Sequence, residues 1–175
     1  HAHRGGGGLA PENTLAAFRK GMELGSDALE MDLHVTRDGE TVVIHDETLE
    51  RTTDGVGSVA DLTLEELKRW DAGGKFAPAF RGERIPTLRE VIALIQATGN
   101  TRIRMDLELK YHPDRPGKPE DFEQRVLEIL RETGFVLRVN VISFHHPSLA
   151  TMKALEPRIR TGLLAGGRQA PQDPV

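Results

Sequence analysis

Ala28-Leu29-Glu30-Met31-Asp32-Leu33-His34-Val35 alternates apolar and polar side chains without a break. On a strand, residues two apart share a face. Leu29, Met31, Leu33 and Val35 therefore form one surface, and Glu30, Asp32 and His34 the other. Residues 102–110 repeat the pattern, with Asp106, Glu108 and Lys110 set against Leu107 and Leu109. Working outward, residues 14–24 have helical spacing, a cap at Asn13 or Thr14 and a stop at Gly25. Arg37-Asp38-Gly39-Glu40 is a turn, followed by a short strand over 41–44. Thr63-Leu64-Glu65-Glu66 and Thr87-Leu88-Arg89-Glu90 are capping boxes that open two helices. The first of these helices is expected to carry Trp70, and residues 73–86 read as a loop in which Phe76 and Phe80 are either anchors or lining of a substrate mouth.

Further on, a Pro-rich loop over 111–119, with His112 in solvent, leads into a helix over 120–132 that Gly134 ends. Strands at 140–144 and 161–165 flank a helix at 148–155, and the tail from residue 166 is polar without periodicity. Strand and helix in alternation mean a parallel α/β sheet, either doubly wound or a (β/α)8 barrel. A full barrel takes roughly 250 residues, so the 175 present predict that closing strands are missing from this sequence.

Composition narrows the chemistry. The chain has no cysteine, which excludes disulfides, thiolate catalysis and zinc–thiolate sites. A net charge of -4 argues against nucleic acid as the main partner, and no apolar run is long enough to span a membrane. The chain opens at His1 rather than Met, so no targeting segment is readable; a cytoplasmic setting is slightly favoured. Oligomeric state has no signature in the sequence.

Four short motifs carry reactive groups. Glu30 and Asp32 project from one face of a strand, and adjacent buried carboxylates repel unless a cation lies between them. An all-oxygen set suits Mg²⁺, Ca²⁺ or Mn²⁺; the plain alternative is an ordinary polar strand face. Glu108 is placed to add a third carboxylate, and Lys110 to meet an anion. His3-Arg4-Gly5 combines a proton-transfer group with a planar fork for phosphate, or is a surface turn. His45-Asp46 ends an apolar run, where taken alone a structural His is the commoner reading and a catalytic one the alternative.

The order of these pieces is more specific than any one of them. His3-Arg4-Gly5, Pro11-Glu12-Asn13-Thr14, Glu30-Met31-Asp32, Thr36-Arg37-Asp38-Gly39, His45-Asp46, Arg51-Thr52-Thr53-Asp54-Gly55, Ile85-Pro86-Thr87-Leu88 and Glu108-Leu109-Lys110 follow one another. This series resembles the glycerophosphodiester phosphodiesterase family, and the similarity extends to Arg160-Thr161-Gly162-Leu163-Leu164. The resemblance implies a single TIM-type barrel domain with a small insertion at about 45–80 after the second strand. It implies metal ligands at Glu30, Asp32 and Glu108, paired acid/base histidines at His3 and His45, and phosphate contacts at Arg4 and Lys110. Residues 11–14 would shape the first loop rather than react. The implied reaction is metal-dependent hydrolysis of a glycerophosphodiester, with Mg²⁺ or Ca²⁺ as cofactor, to glycerol 3-phosphate and an alcohol. His45 is taken as the acid, and the nucleophile as water or the glycerol 2-hydroxyl.

Three other readings compete. His1-Ala2-His3 fits the His-x-His of zinc amidohydrolase barrels, although His145-His146 would point opposite ways on a strand. A phospholipase D-like lipase shares the barrel, but its relatives rely on disulfide-tied loops. A barrel that binds metal or phosphate without turnover is the non-enzyme reading.

Overall fold

The computed structural model describes residues 1–110 and 121–165. The expected loop at 111–119, His112 and the tail from residue 166 lie outside the described residues. Strand β1, Ala28–Val35, has the expected bounds. A hairpin returns the chain as β2, Thr41–Val43, antiparallel to β1. Strands β3 (Arg104–Leu109), β4 (Val139–Ser143) and β5 (Arg160–Leu163) then add in parallel, giving the order β2-β1-β3-β4-β5. At the N-terminus Ala2 bridges in parallel to Leu29, beside the first half of β1.

Two features decide between the barrel and the doubly wound sheet. Parallel strands follow one another in chain order with no reversal, whereas a doubly wound sheet reverses at a switch point. The longer helices also pack against a single face. Register aligns Leu29, Met31 and Leu33 with Met105, Leu107 and Leu109, and Met105 and Leu107 with Val139 and Val141. Onto that apolar face fold α1 (Leu15–Glu23) through Phe18, α3 (Leu88–Ala97) through Val91, Ile92 and Ile95, α4 (Phe122–Thr133) through Val126 and Leu130, and α5 (His146–Leu155) through Met152. Each such side chain withdrawn from water contributes about 1.5–3 kcal/mol. Glu30, Asp32, Asp106 and Glu108 take the opposite face, where a barrel has its lumen. The fold is therefore the TIM-type α/β arrangement.

Both capping boxes are present, at Thr63–Glu66 and Thr87–Glu90. The first opens only a short α2, Leu64–Leu67. Trp70 lies beyond it, contrary to expectation, against a second small core of Val42, Ile44, Leu49, Val59, Leu67, Ala72 and Ile85. The physical reason is Asp71, whose carboxylate accepts N–H bonds from Gly73, Gly74 and Gly82 and draws the chain off the helical path. His145 and His146 are likewise not on a strand: they cap and begin α5, because Pro147 is tolerated in a first helical turn. No helix among the described residues is long and apolar enough to cross a membrane.

Gly21 on α1 lets the helix press onto the first loop. A Cβ there would lie 2.6 Å from the Gly5 carbonyl oxygen and 3.0 Å from both Ala2 Cβ and Leu29 Cδ2. Gly→Ala inside a helix gains about 1 kcal/mol of propensity, while overpacking against an unyielding carbonyl costs up to about 3 kcal/mol. The clash wins, so Gly21→Ala should lower Tm by about 4 °C or more. Calorimetry showing an unchanged or higher Tm would refute this close approach.

Candidate active site

The site starts from strand register. Glu30 is paired with Asp106 and Asp32 with Glu108 across β1 and β3. The alternation noted in the sequence turns all of these inward, and the second pair sits nearer the C-terminal strand ends, where barrel sites form. Glu30, Asp32 and Glu108 are buried and each offers an oxygen within 4.8 Å of the others. Asp106, on the same face, instead meets the His1 imidazole. His1 is thus engaged by Asp106, and among the described residues the carboxylate group that could share a cation contains no histidine. That arrangement disfavours the zinc His-x-His reading.

Each acid has a distinct setting. Lys110 Nζ lies 2.9 Å from Asp32 Oδ1 and 2.8 Å from Glu108 Oε1. The Asn13 side-chain amide donates to Asp32 Oδ2 at 2.8 Å, and its oxygen accepts from the Asp32 N–H at 3.4 Å. Burial works against ionised Asp32, but Lys110, Asn13 and His45 outweigh it and hold the carboxyl below its usual range. Glu30 receives the Arg4 backbone N–H at 2.7 Å. Burial drives its carboxyl up, the Asp32 and Glu108 charges add to this, and the Arg4 N–H and Lys110 offset only part, leaving it at about 7.

Two loops bring the remaining groups. The first follows Ala2 as a tight turn, with Arg4 at φ 50 and Gly5 at φ 77. It places the exposed His3 imidazole 3.9 Å from Glu30 and Arg4 Nε 3.9 Å from Asp32, where that Nε is buried with no hydrogen-bond partner. Arg4 Nη1 donates to Glu12 at 2.9 Å. Asn13, at φ 57, donates its N–H to the Arg4 carbonyl, and Thr14 caps α1.

The second loop leaves β2 and carries His45. His45 Nδ1 lies 2.6 Å from Asp46 Oδ1, and the Asp46 carboxyl is held far below its usual range by Arg51, with His45 adding to this. An ionised carboxylate only accepts, so Nδ1 carries the ring proton and Nε2 is left as the basic nitrogen. Beneath it, His34 Nε2 donates to the His45 carbonyl at 3.1 Å, and burial keeps His34 from charging readily. His45, Glu108 and Lys110 line a groove of about 540 Å³ with Phe144 on its rim.

The structure therefore gathers all seven residues singled out in the sequence around one carboxylate cluster. Lys110 differs in one respect, since its ammonium already contacts two of the acids. Asn13, Glu12, Asp46 and Arg51 were given no site role from sequence. Glu12 was visible only within Pro11-Glu12-Asn13-Thr14, Asn13 there and as a possible helix cap, and Asp46 only as the neighbour of His45.

The model of the Glycerophosphoryl diester phosphodiesterase family matches residues 3–175. A glycerophosphodiester phosphodiesterase of Caldanaerobacter subterraneus subsp. tengcongensis is 46% identical over 168 residues, covering 93% of this chain and 65% of the relative. One from Bacillus altitudinis is 42% identical over 164 residues, covering 93% and 64%. The chain thus spans slightly under two thirds of the curated relatives it matches. Among solved structures, an Oleispira antarctica phosphodiesterase in complex with the product sn-glycerol-3-phosphate superposes with TM-score 0.83 at 37% identity, covering 92% of this chain and 63% of that one. The crystal structure of an Agrobacterium tumefaciens glycerophosphodiester phosphodiesterase gives 0.78 at 33%, covering 91% and 63%.

The raised Glu30 carboxyl has a consequence for stability. Folded Glu30 holds its proton more tightly than unfolded Glu30, so its contribution is complete below about pH 4.5 and is lost as pH rises through about 7. Glu30→Gln is neutral throughout and still accepts the Arg4 N–H. In metal-free buffer it should melt with the wild type near pH 5 and above it at pH 8. An equal difference in Tm at both pH values would contradict the assignment.

Proposed function

The chain belongs to the glycerophosphoryl diester phosphodiesterase family, and on that premise we propose that it hydrolyses glycerophosphodiesters to glycerol 3-phosphate and an alcohol. The observation that carries this reading is the convergence of Glu30, Asp32 and Glu108 between two loops that each present an imidazole. The product complex of the Oleispira antarctica phosphodiesterase supports the substrate class by analogy.

The residues fit a divalent cation. Three carboxylates with oxygens within 4.8 Å form a hard, all-oxygen set, and burial together with the Asp32 and Glu108 charges holds the Glu30 carboxyl high. Glu30, Asp32 and Glu108 would hold Mg²⁺ or Ca²⁺, with Mn²⁺ also suited. The chemistry such an ion supplies when bound is polarisation of a phosphoryl oxygen and neutralisation of charge in the transition state.

The chain's own groups do the rest. Arg4 Nε, buried and unpartnered, is a donor available to a phosphate oxygen. Lys110 is a flexible point charge that can turn from Asp32 and Glu108 to phosphate. His3 and His45 divide the proton transfers: one takes a proton from the nucleophile and the other protonates the leaving alcohol. Asp46 keeps His45 in one tautomer, so that Nε2 is the nitrogen that exchanges protons.

His3→Ala and His45→Ala, made separately, should each slow glycerophosphocholine hydrolysis by about 100-fold or more, measured as glycerol 3-phosphate released. Chelation of divalent ions should stop turnover, and Mg²⁺ or Ca²⁺ should restore it. Near wild-type rates in either histidine variant would end the paired-imidazole scheme.

A further inference from the structure

We propose that Arg51 is a positioning residue, tying the two histidine-bearing loops together and so fixing the tautomer and direction of His45. Its guanidinium is used from both sides. Nε and Nη2 donate to Asp46 Oδ2 and Oδ1 at 2.6 and 2.9 Å. Nη1 and Nη2 donate to Glu12 Oε2 and Oε1 at 2.9 and 2.7 Å. Two carboxylates 34 residues apart in sequence (46 minus 12) are thereby held by one planar fork.

Each carboxylate has a second duty toward the site. Asp46 receives His45 Nδ1 at 2.6 Å, and Glu12 receives Arg4 Nη1 at 2.9 Å. Arg51 thus stands behind a proposed proton-transfer group and a proposed phosphate ligand without touching the acids of the cluster. Its side chain is 46% exposed, and exposed ion pairs add little to stability. A doubly bidentate fork is nevertheless directional, because the planar guanidinium fits each carboxylate in a narrow range of orientations. Geometry, more than stability, is what this arrangement can fix. Lysine has the charge but not the fork, so the two substitutions separate these contributions.

The kinetic arm of the test rests on the proposed diester hydrolysis, whereas the spectroscopic arm does not. Arg51→Ala should lower kcat for glycerophosphocholine by about 10- to 100-fold, with KM little changed and Tm lower by less than about 4 °C. Arg51→Lys should fall between Ala and the wild type. In ¹⁵N spectra of the His45 ring, the wild type should show a protonated Nδ1, and both variants a shift toward the Nε2–H form. Wild-type kcat in Arg51→Ala, full recovery of kcat in Arg51→Lys, or an unaltered His45 tautomer would each overturn the proposal. If Arg51→Ala does not fold, Arg51→Lys carries the same comparisons. If the wild-type protein does not hydrolyse glycerophosphodiesters, the proposed reaction fails and the His45 spectra alone decide the role of Arg51.

Discussion

Like charges forced together out of water are the constraint on which this structure turns. At about 4 Å and an effective dielectric near 20, two unit charges interact by about 4 kcal/mol. Glu30, Asp32 and Glu108 approach one another on this scale while buried. Lys110 meets Asp32 and Glu108 directly, whereas Glu30 has the Arg4 N–H at 2.7 Å and the His3 imidazole at 3.9 Å. Burial first, and the Asp32 and Glu108 charges after it, raise the Glu30 carboxyl to about 7. The proposed cation would replace the carboxyl proton and offset the same charges.

The backbone around the cluster is arranged to hold this tension. Arg4 and Asn13 both adopt the left-handed conformation, at φ 50 and φ 57, which ordinary residues avoid. Such residues cost on the order of 1–3 kcal/mol where the surroundings impose them. Here the cost is matched by hydrogen bonds that only this conformation makes together. The Arg4 N–H reaches Glu30, the Asn13 N–H reaches the Arg4 carbonyl, and the Asn13 side chain closes on Asp32. Both left-handed residues lie in the loop whose hydrogen bonds reach Glu30 and Asp32 on β1.

The legible part of the fold was the part with a period. Alternation fixed β1 and the inward set of acids, and Thr-x-x-Glu marked the starts of α2 and α3. What stayed hidden depends on long-range pairing without local periodicity. Nothing near Arg51 announces that it meets Glu12, 39 positions away. Asn13 looked like a capping or turn residue, because its bond to Asp32 spans 19 positions. No breaker precedes Gly73, so Trp70 reads as helical; the Asp71 carboxylate instead gathers the nearby Gly74 N–H and the more distant Gly82 N–H. Family resemblance supplied the roles expected of His3 and His45, which their local sequence left open.

Stability and site geometry rest on different physics. The apolar face of the sheet and its helices bury the main core on one side of the strands, and the carboxylates occupy the other. The segment after β2 has its own small core around Val42, Leu49 and Leu67, which can place the His45 backbone to within the slack of a loop. Removing that slack takes directional contacts, and apolar packing has none to offer. Charged forks and carbonyl acceptors do: Arg51 on Asp46, Asp46 on the His45 ring, His34 on the His45 carbonyl. These bonds add little to folding free energy where they are exposed. Their distribution, concentrated on one imidazole at the mouth of the strands, is what the proposed proton transfer would require of direction, and stability alone does not call for it.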